Sequence, residues 1–215
     1  GTLSSALPVN VSGTYTLSGR TVVGNLSVTG AAGGLAMGGQ TLAITGNLST
    51  SGSGTITMTN VLDSVIATGN ATFGGGSESG LLTAGVLSVG GTFAQTSGGS
   101  AARFDASGTP RTVLTGASPT VSIQSFGNTP GTSHFQELTW AGGGTLSIST
   151  LTYVVGQLTV NSAGTINKAG FTDALHVGGL VNSGVVTFNN VQLWIETTAP
   201  VPVALSNVTF TIGSR

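Results

Sequence analysis

The sequence has no cysteine, little charge and no long apolar run, and each absence excludes a class of protein. Without cysteine, neither disulfides nor zinc–thiolate sites can form. Charged residues make up 5% of the 215 residues and the net charge is −1, so a clustered basic surface for nucleic acid or anionic lipid is excluded. Glycine, serine and threonine interrupt every apolar run, so no stretch of about 18 apolar residues predicts a membrane helix.

A short phrase instead recurs along the chain at a steady interval. VVGNLSVTG at 22–30 returns as AITGNLSTSG at 43–52 and as IATGNATFGG at 66–75. The first and last glycines of this series are separated by seven steps of about 22 residues, and the series comprises Gly24, Gly46, Gly69, Gly90, Gly156 and Gly178. A fixed period of this length indicates a repeat architecture.

Each period contains about three short apolar runs in which apolar and polar residues alternate, and Gly, Asn and Ser separate the runs. No stretch keeps the i, i+3, i+4, i+7 spacing of an amphipathic helix. We therefore predict an all-β fold, a right-handed parallel β-solenoid, in which residues 1–215 form one domain. It should have about nine to ten rungs of about 22 residues, with three short strands per rung. Inward ladders of Leu and Val, each contributing roughly 1.5–3 kcal/mol, can hold such a fold without ion pairs.

The repeated phrase also predicts a structural corner. In three successive periods the glycine is followed by asparagine, and stacked asparagines can hydrogen-bond along the rod. The predicted corner ladder is Gly24, Asn25, Gly46, Asn47, Gly69 and Asn70. The same asparagines form the glycosylation sequons NLS and NAT, so modification is the alternative interpretation.

Binding residues are expected where the pattern breaks, and the clearest break is QSFGNTPGTSHFQ at 124–136. A loop replaces the third strand there and could contact a ligand or partner. We take Phe126, Asn128 and His134 as its candidates, together with Trp140, because one side of the strand HFQELTW faces outward. The alternative is that the loop is a tolerated excursion and Trp140 belongs to the core.

No residue set indicates catalysis. The six acidic residues are scattered, and Arg103 and Asp105, two positions apart, are interpreted as a surface ion pair. His134 and His176 lie about two periods apart, which predicts no adjacent metal ligands. We therefore predict no catalytic residue, no cofactor site and no metal site, and a protein that is not an enzyme. Threonine-x-threonine motifs such as TYT at 14–16 are not repeated on every rung, which argues against ice binding.

The stretch 135–190 contains the phrases FQELTW, GGGTLSI, VVGQLTV, GTINKAG and VTFNN. Their order resembles a repeat of large secreted bacterial proteins, the autotransporter passengers and filamentous-haemagglutinin-like adhesins. Glu137 and Trp140 depart from the asparagine and aliphatic residue usual in that repeat. The resemblance implies a surface-displayed or fibrous β-solenoid that forms part of a longer or polymerising extracellular chain.

These observations predict a structural or adhesive module that forms a stiff rod or fibre at the bacterial cell surface. Its expected partners are copies of itself or further repeats stacked end to end, and glycans or a host cell surface. Nucleic acid and membrane insertion are not expected. Two alternatives stay open: a carbohydrate-active β-helix enzyme of the polysaccharide lyase or hydrolase type, which needs carboxylates on neighbouring rungs, and a phage-type receptor-binding fibre.

Overall fold

A computed structural model of the chain is a parallel β-solenoid with three strands per turn and no helix in the described residues. The all-β prediction is therefore confirmed. The chain makes about eight turns, slightly fewer than the nine to ten rungs that a uniform period predicts. The structure describes residues 3–4, 6–96, 98, 100–168, 174–196 and 208–211.

Short strands follow one another along the described chain, most of them three to five residues long. In order they are β1 (Leu3–Ser4), β2 (Val9–Val11), β3 (Thr14–Thr16), β4 (Thr21–Val23), β5 (Leu26–Val28), β6 (Gly34–Ala36), β7 (Thr41–Ile44), β8 (Leu48–Ser51), β9 (Thr55–Thr57), β10 (Ser64–Ala67), β11 (Ala71–Gly74), β12 (Val86–Val89), β13 (Phe93–Gln95), β14 (Arg111–Leu114), β15 (Thr120–Ile123), β16 (Glu137–Trp140), β17 (Gly144–Ile148), β18 (Thr152–Val160), β19 (Gly164–Lys168), β20 (Ala174–Asn182), β21 (Val186–Asn189), β22 (Gln192–Ile195) and β23 (Val208–Thr211).

The strands stack into three faces. The first face belongs to a ten-stranded parallel sheet of order β1-β4-β7-β10-β12-β14-β16-β18-β20-β22, and the second face is the sheet β2-β5-β8-β11-β13-β15-β17-β19-β21-β23. Because every neighbour in these sheets comes from the next turn, the main-chain hydrogen bonds run along the axis of the rod.

The third face begins as the sheet β3-β6-β9. It continues through single bridges, such as Leu82 with Ala106 and Asp105 with His134. In the described residues it then passes through the first halves of the long strands β18 and β20 to β22, and these pair around Tyr153, His176 and Trp194. A register shift after Val154 marks the corner where β18 turns from the third face to the first face.

One continuous apolar core fills the space between the faces. Inward positions alternate with outward ones along the strands, as a period of two requires. Leu, Val and Ile occupy most inward positions. An aromatic cluster widens the middle of the core, where ring centroids lie 4.6–5.6 Å apart, and its members are Phe73, Phe93, Phe104 and Phe135.

The uniform period expected from the sequence is wrong for the second half of the chain. Ser88 pairs with Val113 and Val113 pairs with Thr139, and both of these turns are longer than the expected period. Thr139 then pairs with Thr159 after a shorter turn. The longer turns carry loops. As a result, Gly156 lies at the corner between the third and first faces, whereas Gly24 lies between the first and second.

Candidate functional site

The predicted corner ladder is a column of hydrogen bonds between the first and second faces. Asn25 Oδ1 accepts the backbone N–H of Asn47, and Asn47 Oδ1 accepts that of Asn70, each at 2.8 Å. Asn70 Oδ1 continues the column to the N–H of Thr92, also at 2.8 Å. The side-chain oxygens therefore bond to the main chain of the next turn, not to the next side-chain amide.

The glycines of this corner make room for the column. A Cβ atom on Gly46 would lie 2.1 Å from Asn25 Oδ1, and one on Gly69 would lie 2.4 Å from Asn47 Oδ1. A Cβ atom on Gly24 would lie 2.3 Å from a backbone oxygen of the turn below. Each asparagine oxygen already accepts a hydrogen bond within the fold. The recurring Gly-Asn pair at this corner therefore has a structural explanation.

The predicted ligand loop divides into exposed and buried parts. Phe126 is 43% exposed and Asn128 lies on the surface. His134 is 4% exposed and Trp140 is fully buried, so neither side chain can form part of a surface. Trp140 points inward from β16, and its ring lies where a Cβ atom on Gly164 would be placed, 2.4 Å away.

His134 lies beside Asp105, and both side chains are buried. Asp105 Oδ2 accepts the N–H of Gly131 at 2.7 Å, and Asp105 Oδ1 lies 3.7 Å from His134 Nε2. Arg103 is also buried, and its guanidinium donates to the carbonyls of Gly75 and Thr96 at 2.9 and 2.7 Å. The interpretation of Arg103 and Asp105 as a surface ion pair is wrong, because each side chain bonds to backbone groups of an irregular turn.

Two more buried carboxylates also anchor the backbone. Asp63 accepts the N–H groups of Gly39 and Asn60 at 2.6 and 2.9 Å. Glu78 accepts the N–H of Ile56 with both oxygens, at 3.1 and 3.2 Å. Burial raises the pKa of Glu78 well above its usual value, although this hydrogen bond lowers it.

Glu137 is only half-buried and accepts the N–H of Gln157 at 2.9 Å. Burial raises its pKa, and the hydrogen bond lowers it. Among the described residues, no group of three or more His, Asp or Glu side chains could hold a metal ion. In the same residues, no helix has the length and apolar character needed to cross a bilayer.

A row of three adjacent rings lies elsewhere, on the last described turns of the third face. Tyr153, His176 and Trp194 stand in register on neighbouring strands and form what we call the aromatic row. Ring centroids are 4.5 Å apart between Tyr153 and His176, and 5.6 Å apart between His176 and Trp194, whose rings are almost parallel. Trp194 is 56% exposed.

A groove of about 380 Å³ runs beside the aromatic row. Polar groups are present at both ends, and Glu196 contacts Nδ1 of His176. Its lining residues are Asn128, Tyr153, Val154, Val155, His176, Val177, Gly178 and Glu196. Of the sequence candidates, therefore, only Asn128 belongs to the groove.

Comparison of the chain with protein-family models, curated proteins and solved structures gives no match. What is established is therefore the fold itself, a parallel β-solenoid. The aromatic row was missed in the sequence because its members are unevenly spaced, and a fixed period does not connect His176 to Trp194. The near-period spacing of Tyr153 and His176 was the only available signal.

Proposed function

We propose that this chain is a structural and adhesive β-solenoid module displayed outside a bacterial cell. The observation that carries the proposal is the pair of ten-stranded parallel sheets built over one uninterrupted core. About eight turns at about 4.8 Å each give a rod roughly 40 Å long. Placement outside a bacterial cell is supported by the resemblance of 135–190 to repeats of secreted bacterial proteins.

The second face supports contact with an uncharged partner. Ser27, Ser49 and Thr72 stand in register on its outer side, and no outward residue of β2 to β21 on this face is charged. Such a surface of hydroxyl and amide groups offers hydrogen bonds without electrostatic attraction for phosphates.

The acidic side chains favour a binding role over catalysis. Asp63 and Glu78 bond to backbone N–H groups in the interior, and Asp105 does the same at Gly131. A glycosidase or lyase needs carboxylates that converge on a groove open to substrate. In the described groove, Glu196 is the one carboxylate, and it is paired with His176.

The first described turns support axial stacking. Val9 and Val11 point toward the core but are only partly buried, and a recess of about 420 Å³ adjoins them. Leu193 and Ile195 are likewise only partly buried in β22. Further turns or a second copy of the chain would cover these apolar side chains and pair the open strand edges.

Display of the chain on a non-adherent bacterium, fused to a heterologous surface anchor, tests adhesion. We expect cells carrying the chain to attach to glycan-coated or host-cell surfaces more than cells carrying the anchor alone. Equal attachment of both strains, with the chain shown to be folded on the surface, would contradict an adhesive role.

Sedimentation of the purified chain over a range of concentrations tests axial stacking. We expect a mass that rises with concentration, and Val9→Asp to suppress the rise because a carboxylate would lie in the apolar recess. Thr72→Asp, on the outer side of β11 and outside the lining of the recess, is the matched control. A single monomeric mass at all concentrations would contradict stacking of copies.

A further inference from the structure

We propose that the groove beside the aromatic row binds a neutral carbohydrate chain. This inference rests on the proposed adhesive function and gives its ligand a chemical class. The groove crosses successive turns of the third face, from Asn128 past Tyr153 and His176 to Glu196. Three steps of about 4.8 Å make it an elongated groove parallel to the rod axis, a shape that suits an extended chain.

The floor and wall of the groove combine apolar and aromatic surface. Val155 contributes a side chain that is 39% exposed, and Tyr153 also lines the groove, whereas the side chains of Val154 and Val177 point into the core. Trp194 lies outside this lining but continues the aromatic row beyond His176, and more than half of its surface is accessible. The C–H face of a sugar ring packs on such surfaces, because Trp and Tyr combine a large apolar area with a polar edge.

The polar groups around the groove match hydroxyl groups. Asn128 and the Tyr153 hydroxyl can each donate and accept hydrogen bonds. The Glu196 carboxylate accepts, and its contact with His176 holds it beside the row. A few placed polar groups beside apolar and aromatic side chains are typical of a small-molecule site that fixes the orientation of its ligand.

The same lining disfavours other ligand classes. It contains no Lys or Arg, the residues that recognise phosphate, sulfate and carboxylate groups. A peptide that adds a strand needs a free sheet edge. The strands of Tyr153 and His176 are already paired on both sides, so a peptide could pair only beside β22 and would not lie along the row. Hydroxyl-rich, uncharged chains remain the class that the groove fits.

Titration of the purified chain with neutral cello-, chito-, manno- and galacto-oligosaccharides tests the proposal. Tryptophan fluorescence offers a local readout, because Trp140 is fully buried whereas Trp194 is exposed. We expect at least one series to bind and to change the emission of Trp194. Trp194→Ala removes this reporter, so its affinity is measured by isothermal titration calorimetry. This variant should bind at least about tenfold more weakly, the usual cost of removing a large aromatic contact.

Tyr15→Ala is the matched control. Tyr15 is 53% exposed on the same face at the opposite end of the rod, so its removal should leave the affinity unchanged. Glu196→Gln keeps the shape of the side chain and should weaken binding less than Trp194→Ala. Circular dichroism should show the same β spectrum for all three variants, since these side chains lie on the surface.

Three results would overturn the proposal: no binding of any neutral series, equal affinity in Trp194→Ala, or an equal loss in Tyr15→Ala. Binding only to sulfated glycans or to anionic lipid vesicles would also overturn it. Surface display of Trp194→Ala separates this inference from the proposed function. If the parent chain adheres but binds none of the neutral series, the groove proposal fails and the adhesive module stands. If the parent chain binds a sugar but does not adhere, the adhesive module fails and the groove proposal stands.

Discussion

The regular corner between Gly24 and Asn70 and the irregular segment between Thr96 and His134 solve the same problem in different ways. Both must satisfy backbone groups where one turn passes to the next. In the corner, one glycine and one asparagine per turn do this, each oxygen accepting one N–H at 2.8 Å. In the described part of the irregular segment, the backbone groups are satisfied by buried polar side chains at positions that do not recur from turn to turn.

The irregular segment depends on long-range polar contacts. Arg103 reaches carbonyls of two other stretches, at Gly75 and Thr96. Ser133 accepts the N–H of Phe104 at 3.1 Å and donates to the carbonyl of Ala101 at 2.7 Å. The regular corner spreads its contribution to stability over many weak, equivalent contacts. The irregular segment concentrates its contribution in a few residues. The two regions should therefore respond differently to substitution.

The largest effect is expected at Arg103. Arg103→Met keeps an apolar stem but leaves the buried carbonyl of Gly75 without its donor, so we expect a loss of about 3 kcal/mol in the free energy of unfolding. Arg111→Met, at an exposed position of β14, should change it by less than about 0.5 kcal/mol. Urea unfolding followed by circular dichroism measures both. Equal small effects would break the contrast between the regions.

A clash in the regular corner should follow in size. Gly69→Ala would place a Cβ atom 2.4 Å from Asn47 Oδ1 and 2.8 Å from the carbonyl oxygen of Gly46. Because the backbone oxygen cannot rotate away, we expect a loss of about 2 kcal/mol. Gly13→Ala meets no atom within 4 Å and serves as control in the same unfolding experiment. Similar midpoints for the two variants would show that the corner is loosely packed.

Glu78 should give a pH-dependent effect. Its pKa is raised by burial, so the carboxyl stabilises the fold fully below its unfolded pKa of about 4.5, and this stabilisation is lost as the pH rises through the folded pKa. Glu78→Gln can keep the hydrogen bond to Ile56 without titrating. Its advantage over the parent chain should therefore grow as the pH rises from 4.

Glu137→Gln provides the graded comparison for Glu78→Gln, because Glu137 is half-buried and its pKa is raised in the same direction. We expect a smaller response of the same sign. Unfolding midpoints measured at pH 4, 6 and 8 test both variants. A parent chain whose stability increases over this range, with Glu78→Gln falling behind it, would reverse the predicted sign.

The smallest effect is expected for one rung of the asparagine column. Asn47→Ala removes the acceptor for the N–H of Asn70 at a site open to water, so we expect a loss of about 0.5–1 kcal/mol. Asn47→Asp retains an acceptor oxygen and should lose less. Equal losses in the two variants would show that packing, not the hydrogen bond, is what matters there.

The sequence was sufficient for the architecture and for the regular corner. Alternating apolar runs and a glycine at each period are direct consequences of stacked short strands. The parallel solenoid and a corner between strands at Gly24 and Asn25 could therefore be predicted. The turn number was slightly overestimated because loops lengthen the turns around Ser88, Val113 and Thr139.

The site could not be predicted in the same way. Once the longer turns on either side of Val113 shift the phase, spacing no longer tells which residues share a face. His134 and Trp140 were consequently predicted as surface candidates, whereas His176 and Trp194 were not recognised as neighbours. The burial of Arg103 depends on contacts with residues distant in the sequence, and no local sequence pattern encodes such contacts.

The most direct test of the stacked turns uses the absence of cysteine from the chain. The Oγ atoms of Ser27 and Ser49, on adjacent turns, lie 3.1 Å apart, so Ser27→Cys with Ser49→Cys should form a disulfide within one chain under mild oxidation. Ser27→Cys with Thr72→Cys joins positions two turns apart, roughly 9.6 Å, and should remain reduced. Disulfide formation in the second pair but not the first, measured by mass spectrometry, would contradict the parallel solenoid.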